Sequence, residues 1–485
     1  MAYMYGQRSQ YSMFPRSIDE YVGPQDPVRV YDAFINELNF QNLGISLDPY
    51  QGGPDEYDPK TMLKIIVYGY ANSLRSSRKL ELACHRDISF MWLTGGLTPD
   101  YRTIARFRKD QCEAIRRVLR EIVRLCIKWD LIEGNALFID STAMEANASK
   151  RKTFTPENCK ERLVRLDAHI DKLLKESEGL DKEQDDQGSL VKVKEELLNR
   201  EKIRAELQAI EQELKQESLK ELNTTDRDCV TVKSSGRCRA GYKAQTAVDD
   251  KHGLIVNTDV VASATDANKL SGQIQNAADV LGEAPAVVVS DSGYFSASDT
   301  AKIDEKITVI MPTQQQINKE RCDQKNPDAR TFTKHDFKYD AANDTYTCPM
   351  GQRLSFRFES TSKQGHRLKN YRPESGKVCK ACEHFGRCTN NAQGRKITRH
   401  EHEAVRERLE AVYQSPEGQD IYQRRKIRSE LPFAQIKHNG GVRRFLLRGL
   451  AGVNAEFALL AVGYNILRMI TILGVAGLLS KIQTT

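Results

Sequence analysis

The sequence predicts a mixed α/β protein with a helical N-terminal region and two insertions. Three observations support this prediction. Helical periodicity runs through residues 26–130, and short apolar β runs alternate with helical segments between residues 136 and 311. Two stretches that interrupt or follow this alternation differ in composition: one is rich in Glu and Lys, and the other contains four clustered cysteines.

The overall composition limits the class of protein only loosely. The 485 residues are enough for two or three domains, and the net charge of +7 is weak support for a nucleic-acid partner. The first 14 residues lack the apolar run of a secretory signal, so we expect the eleven cysteines to be reduced unless they bind metal. The apolar stretch from Phe457 to Leu479 is interrupted by Asn465 and Arg468, which favours a core helix over a membrane span.

The first 130 residues are predicted to form a helical domain. Thr98 and Pro99 suit the start of a helix. The cations that follow form either a solvated basic face or part of a helix-turn-helix-like DNA reader, and no spacing decides between the two. We expect base contacts in residues 60–115, so residues 1–130 are a candidate DNA-binding domain. The cations are Arg102, Arg106, Arg108 and Lys109.

The Glu- and Lys-rich stretch is predicted to be a helical hairpin inserted at residues 152–226. Its apolar residues step by three and four along two segments, which a polar turn from Glu178 to Ser189 separates. This pattern predicts a coiled-coil seam, and it leaves open whether the partner is the hairpin itself or a second protomer. The seam residues are Leu163, Leu166, Ile170, Leu173, Ile203, Leu207, Ile210 and Leu214.

Two β runs lead into acids in matching contexts. The run Ala136–Ile139 is followed by Asp140, and the run Val287–Val289 leads to Asp291 and a glycine. We predict that each strand ends at its acid. The element order, three strands, helix, strand, helix, strand, is that of a ribonuclease H-like fold. In this fold residues 131–311 form the first part of the core and residues 401–485 its C-terminal helices.

The two acids support metal chemistry if their strands are neighbours at the carboxyl end of the sheet. Either acid alone is more typical of a turn or a helix cap. Carboxylates about 4 Å apart repel by roughly 4 kcal/mol at an effective dielectric constant of 20, which a cation or a proton must offset. Oxygen ligands favour Mg²⁺ or Mn²⁺, and a pair of such ions suits displacement at a phosphodiester.

A third acid, Glu430, lies in a basic helix predicted from Ile421 to Asn439. Tyr422, Arg425 or Lys426, Glu430 and Lys437 fall roughly on one helical face. This pattern favours a metal ligand among phosphate-binding cations. The alternative is a surface helix whose glutamate is stabilised by neighbouring arginines.

The chain resembles bacterial insertion-sequence transposases of the DDE class. The matching segments are FIDST around Asp140, GYKAQTAVD, VVVSDSGYFS around Asp291 and the pattern Y-x2-R-x4-E-x6-K from Tyr422 to Lys437. The resemblance implies that Asp140, Asp291 and Glu430 bind two Mg²⁺ or Mn²⁺ ions and catalyse cleavage and strand transfer. It also implies that Tyr422, Arg425 and Lys437 lie beside DNA. The related signature has three residues between Arg and Glu, so Arg425 and Lys426 are both candidates.

The cysteine cluster lies in an insertion assigned to residues 312–400. Its spacing is C-x30-C-x2-C-x5-C, which favours one structural Zn²⁺ over four reduced thiols. His384 is an alternative ligand, and His400 and His402 are more typical of a surface than of a metal site. The four cysteines are Cys348, Cys379, Cys382 and Cys388.

The sequence therefore predicts an active DDE transposase that acts on double-stranded DNA at terminal inverted repeats and target sites. The resemblance implies a homodimer at synapsis and a cytoplasmic, nucleoid-associated protein that does not enter the membrane. Arg443 and Arg444 are expected to add phosphate contacts. Two alternatives stay open: a ribonuclease H-like structure-specific nuclease, and a catalytically inactive DNA-binding protein derived from a transposase.

Overall fold

The structure is a computed structural model that describes residues 17–47, 56–180, 187–234, 236–313, 316–317, 332–362 and 365–484. The N-terminal part is helical, as predicted, and its short helices pack around one apolar core together with the sheet that follows. The helices are α1 (Ile18–Tyr21), α2 (Val28–Glu37), α3 (Phe40–Leu43), α4 (Pro59–Ala71), α5 (Ser77–Arg86), α6 (Ile88–Leu93), α7 (Tyr101–Asp110) and α8 (Cys112–Lys128).

Two sequence predictions for this helical part need correction. Helix α7 begins at Tyr101 rather than at Thr98 or Pro99, because the Asp100 carboxylate accepts hydrogen bonds from the backbone N–H groups of Arg102 and Thr103 and caps the helix. Arg108 does not belong to a basic surface. It is buried and donates to the Tyr70 hydroxyl at 3.1 Å, so its side chain links two helices of the N-terminal part.

The central sheet has six strands and brings the two predicted acid-bearing strands side by side. Its strand order is β4-β5-β1-β7-β8, and β6 also pairs with β5. Strands β1 and β7 are parallel, as are β7 and β8, whereas β5 runs antiparallel to β1. The strands are β1 (Ala136–Glu145), β4 (Val230–Ser234), β5 (Arg237–Asp249), β6 (Ile255–Val261), β7 (Val287–Ser290) and β8 (Thr308–Ile310). Helices α11 (Leu270–Leu281) and α12 (Ala297–Thr300) complete the predicted order.

The first strand does not end at Asp140, contrary to the prediction. It continues to Glu145, because its antiparallel pairing with β5 extends from Leu137 to Glu145. Only the parallel pairing with β7 stops at Ile139. Asp140 therefore lies in mid-strand, at the point where one of the two neighbouring strands ends.

The inserted arm consists of α9 (Pro156–Leu180) and α10 (Gln187–Gln216), with the two-residue strands β2 (Thr153–Phe154) and β3 (Leu222–Asn223) paired at its base. The predicted turn lies partly in these helices, and its residues 181–186 lie outside the described part of the chain. Leu166, Ile170, Leu207 and Leu214 form a buried cluster between the helices, as the seam predicts. Ile203 does not join it and is 42% exposed.

A second, five-stranded sheet contains the cysteine-rich stretch. Its order is β13-β12-β11-β10-β9, and all its strand pairs are antiparallel. The elements are β9 (Lys338–Asp340), β10 (Thr345–Thr347), β11 (Arg353–Thr361), β12 (Arg367–Pro373), α13 (Gly376–Lys380) and β13 (Ile397–His400). Its own core is small and consists of Phe337, Tyr346, Leu354, Tyr371 and Ile397.

Three helices close the chain: α14 (Glu403–Gln414), α15 (Pro416–Ala434) and α16 (Gly449–Gln483). A π-helical turn, Gln435–Asn439, follows α15 directly. Within the described residues, α16 is the one helix long and apolar enough to cross a membrane. Its residues from Gly452 to Ile466 are buried inside the protein against the sheet and the N-terminal helices, so it is the core helix that the sequence predicts.

Candidate active site

Asp140 and Asp291 lie next to each other at the edge where β7 ends. Ile139 pairs with Ser290, so each acid is one residue beyond the last parallel pair. The Asp291 carboxylate accepts a hydrogen bond from the Gly293 N–H at 3.0 Å, and a Cβ at Gly293 would lie 3.1 Å from that carboxylate. A glycine at this position therefore lets the turn after Asp291 close tightly around its side chain.

The charge of Asp140 is costly in this environment. Burial raises the pKa of Asp140, the nearby Arg425 guanidinium lowers it, and the neighbouring Asp291 carboxylate raises it again. The net effect is a raised pKa, so a further positive charge at this position would stabilise the ionised form. The pair is therefore a suitable oxygen donor set for a divalent cation.

Helix α15 crosses β1, β5 and β7 and places Arg425 on Asp140. The Arg425 Nη1 lies 3.1 Å from the Asp140 Oδ2. The guanidinium also lies over the Tyr422 ring, 5.6 Å from its centroid, and Tyr422 packs edge-on against Tyr413. Ser429, one turn after Arg425, is fully buried. Tyr422, Arg425 and Ser429 thus form the helical face toward the sheet.

Glu430 lies on a different part of the same helix. It follows Ser429 by one residue, which rotates its side chain about 100° around the helix axis. It is exposed and, within the described part of the chain, makes no hydrogen bond or ion pair. The carboxylate oxygens of Asp140, Asp291 and Glu430 do not all lie within 4.8 Å of one another. The structure brings the two aspartates together and leaves Glu430 outside their immediate contact.

The remaining predicted DNA contacts differ in their surroundings. Lys437 donates from Nζ to the Thr142 hydroxyl and to the Ala143 carbonyl at 2.8 Å, and burial, followed by the nearby Lys243 charge, lowers its pKa. Arg444 bonds the Glu145 carboxylate at 2.9 Å. Lys426 and Arg443 are exposed. Only Arg425 of the two signature candidates contacts an acid of the site.

Sequence reasoning missed a second polar group beside the aspartates. Lys243 donates to the Asp266 carboxylate at 2.8 Å and to the Ser141 hydroxyl at 3.3 Å. The Tyr294 hydroxyl is buried among Asp266, Asp140 and Asp291. Burial is the main cause of its raised pKa, and the three acids raise it further. The alternation of β5 could have placed Lys243 on this face, but no local signal connects Asp266 to it.

The four predicted cysteines gather around one pocket in the second sheet. Cys348, Cys379, Cys382 and Cys388 all line it, together with apolar residues. Burial raises the pKa of Cys388, Arg395 lowers it, and the other three cysteines raise it further. The Gln352 N–H donates to the Cys348 sulfur at 3.2 Å. His384 lines the same pocket. Four cysteines are the donor types of a structural Zn²⁺ site, but no three of these sulfur atoms all lie within 4.8 Å of one another.

Two family models match this chain, and both describe transposases. The model described as "Transposase DDE domain" matches residues 347–470, and "Transposase domain (DUF772)" matches residues 16–110. The first range contains Glu430 and the four cysteines, whereas Asp140 and Asp291 lie outside both ranges. In the comparisons with curated proteins and with solved structures, nothing matched.

Both matched segments are similar to transposase domains, and the mixed α/β architecture is consistent with a ribonuclease H-like DDE enzyme. Together the two matches support the sequence-based resemblance to insertion-sequence transposases of the DDE class. A transposase DDE domain implies DNA binding and suggests a DNA-cleaving enzyme. DDE transposases generally use divalent metal ions.

Proposed function

We propose that this transposase catalyses divalent-metal-dependent cleavage at insertion-sequence ends and transfers the freed strand into target DNA. The observation that carries the proposal is the pairing of Asp140 and Asp291 at the end of β7, with Arg425 seated on Asp140. Paired carboxylates in a partly buried position need a cation, and a phosphodiester is the substrate that such a cation suits. We infer that the six-stranded sheet is the ribonuclease H-like core.

The chemistry consists of two in-line displacements at phosphorus. Water attacks a phosphodiester at the element end, the P–O bond to the 3′ oxygen breaks, and a 3′-hydroxyl is released. That hydroxyl then attacks a target phosphodiester, forms a new P–O bond and releases a 3′-hydroxyl in the target. When bound, Mg²⁺ or Mn²⁺ supplies activation of the attacking oxygen and stabilisation of the leaving oxygen.

The residues of this chain have distinct parts in the proposal. Asp140 and Asp291 would hold the metal, and the exposed Glu430 would complete the ligand set after a movement of its side chain toward them. Arg425 offsets the charge of Asp140 before metal binds. Tyr422, Lys426 and Lys437, together with Arg443 and Arg444, contact the DNA backbone. The helices within residues 60–115 contribute base contacts.

A strand-transfer assay tests this function. The full chain is incubated with Mg²⁺, target plasmid and a labelled duplex that carries the inverted repeat flanking its gene. We expect the wild type to cleave and join the DNA. Asp291→Asn should reduce the rates of cleavage and of joining on the order of 10³-fold. Asp259→Asn is the matched control, because Asp259 is a half-buried acid of the same sheet whose carboxylate accepts a hydrogen bond from Gln273 instead of facing Asp140.

The outcome also separates the alternatives. Joining by the wild type and not by Asp291→Asn supports the transposase. Cutting without joining indicates a structure-specific nuclease instead, and DNA binding without cutting indicates a catalytically inactive relative. Glu430→Gln in the same assay decides whether Glu430 completes the site, since unchanged activity would contradict its role as a ligand.

Two further parts of the proposal concern assembly. We assign one structural Zn²⁺ to Cys348, Cys379, Cys382 and Cys388, where it would hold α13 against the strands of the second sheet. We also propose that two protomers pair the two DNA ends and that the arm of α9 and α10 contributes to this contact as a coiled coil. Deletion of residues 156–216 should then abolish paired-end complexes and leave binding to a single end intact.

A further inference from the structure

A group of metal-binding side chains lies away from both the aspartate pair and the cysteine pocket. The ligand atoms of His366, Glu401 and His402 all lie within 4.8 Å of one another, and they are the one such group of His, Cys, Asp and Glu within the described residues. The His366 Nδ1 lies 2.9 Å from the Glu401 Oε1, and the His402 Nε2 lies 3.8 Å from the same oxygen. Glu401 and His402 are neighbours in one turn, and His366, 35 residues before Glu401, meets them only in the folded chain.

We propose that His366, Glu401 and His402 bind one divalent transition-metal ion, with Zn²⁺ as the favoured ion. A tetrahedral Zn²⁺ ion with bonds of about 2.0–2.1 Å separates its ligands by about 3.3 Å, which lies within the observed range. Two imidazoles and one carboxylate favour Zn²⁺ or a similar ion over Mg²⁺, which prefers oxygen ligands. Three protein ligands leave one position for water or a further ligand.

The surrounding contacts hold the three ligands in place. The Glu401 N–H donates to the Arg367 carbonyl at 3.1 Å, which continues the strand pairing of β12 with β13. The His402 N–H donates to the His400 Nδ1 at 3.2 Å, so the His400 ring is oriented by the backbone of a ligand. His366 and His400 also lie ring against ring, with centroids 4.8 Å apart. The site is thus supported by neighbouring hydrogen bonds and packing.

Nearby cations do not prevent metal binding. Arg406 lies beside the same cavity, but its guanidinium lies 3.6 Å from the Glu403 carboxylate and 3.4 Å from that of Glu410. The Arg367 side chain is 79% exposed and its Nε lies 3.9 Å from the Glu401 Oε2, so solvent screens the pair. The Glu401 oxygen that faces both imidazoles therefore remains available to a metal ion.

The site lies where the second sheet meets the segment that leads into α14. His366 lies at the start of β12, and Glu401 and His402 lie between β13 and α14. The adjacent cavity is also lined by Asn268 and Ser296, which belong to the core loops after Asp266 and Asp291. A metal ion here would fix the turn of the second sheet to the segment that leads into α14 and α15, beside the candidate active site.

The test is a Co²⁺ titration of the full chain purified with its zinc retained and kept free of Mg²⁺. We compare the wild type with His366→Ala/His402→Ala. His169→Ala is the matched control, because His169 also pairs with a glutamate, Glu196 at 3.4 Å, and lacks a third ligand. We expect the wild type and the control to bind one more Co²⁺ ion than the double variant. Their additional visible bands should lack the sulfur-to-metal absorption of thiolate ligands.

A conservative variant separates metal binding from a structural role. Glu401→Gln keeps a hydrogen-bond partner for His366 but removes the charged ligand. Affinity for Co²⁺ should fall at least about 100-fold, since loss of even an outer hydrogen-bond partner of a metal ligand costs 10- to 100-fold. The thermal midpoint without added Co²⁺ should not change. Equal Co²⁺ binding by the wild type and the double variant, or extra binding that carries thiolate absorption, would overturn the proposal and leave a hydrogen-bonded surface cluster.

Discussion

The central sheet and the cysteine-rich sheet differ in what their candidate metal sites do for the fold. Asp140 and Asp291 lie on a sheet that shares one extensive apolar core with the N-terminal helices and α16. The second sheet has a buried core of five apolar residues, with Cys348 and Cys388 packed at its margin. A small core rarely stabilises a domain alone and commonly needs a metal. We therefore expect a metal ion to take part in catalysis at the central sheet and to stabilise the folded state of the second sheet.

Removal of two cysteines from the second sheet should have the largest effect. Cys379→Ser/Cys382→Ser should open β11 and β12 while the core sheet stays closed, because structural Zn²⁺ supplies about 10–16 kcal/mol in small zinc domains. Hydrogen exchange measured by mass spectrometry should show rapid exchange in residues 353–373 and unchanged protection in residues 137–145.

Cys238→Ser provides the control, because Cys238 is an exposed free cysteine on β5. It should leave the exchange of both sheets unchanged. If the double variant keeps the protection of β11 and β12, the second sheet is stable without its thiolates and the distinction between the two sheets fails.

The next largest effect concerns the electrostatics of the core site. Arg425→Gln removes the charge that lowers the pKa of Asp140, so that pKa should rise further above its ordinary value. An acid with a higher pKa ionises at higher pH, and the acidic limb of the activity profile with Mg²⁺ should move to higher pH. A shift of one pH unit would reduce activity on that limb about tenfold.

Arg424→Gln is the matched control for this prediction. Arg424 precedes Arg425 but pairs with Asp250, away from the aspartate pair. Its replacement should leave the position of the acidic limb unchanged. An identical pH profile for the wild type and Arg425→Gln would show that Arg425 does not set the ionisation of Asp140 in the working enzyme.

Local patterns predicted the parts of the fold that depend on local sequence. The β runs before Asp140 and Asp291, the helix between β6 and β7 and most of the arm's seam lie where periodicity puts them. The length of β1 could not be predicted, because most of Ser141–Glu145 is polar or small and does not look like a buried strand. This segment pairs with β5, which lies about 100 residues later in the sequence. Such long-range pairing leaves no local signal.

The candidate site was predictable to the same limited extent. Asp140 and Asp291 each follow an apolar β run, and this shared context was enough to predict that they meet. They do so because β1 and β7 are parallel neighbours. The sequence does not show whether Arg425 or Lys426 faces the sheet, because this depends on the rotation of α15 about its axis. With four residues between Arg425 and Glu430, Ser429 lies on the face toward the sheet and Glu430 lies beside that face. The Lys243–Asp266 pair and the meeting of His366 with Glu401 arise from tertiary packing, which spacing does not encode.

The smallest predicted effect sharpens the comparison within the second sheet, where polar contacts supplement the small core. Asp344 accepts hydrogen bonds at 2.6 Å from the hydroxyls of both Tyr339 and Tyr371, and these bonds, together with Lys369, lower its pKa to about 2. A lowered pKa adds stability above 3.8, the ordinary value for an aspartate, and that stability is lost as pH falls toward 2.

Asp344→Asn isolates this charge, because asparagine tolerates the positive φ of 47° at this turn. The side chain is 38% exposed, so after allowance for screening we expect a loss of ~1 kcal/mol near neutral pH. Thermal unfolding of the second sheet at pH 7 and at pH 3 measures it. The difference between wild type and variant should shrink at pH 3, and metal loss from thiolates there affects both proteins alike. A difference that persists unchanged at low pH would mean that the Asp344 charge does not stabilise the sheet.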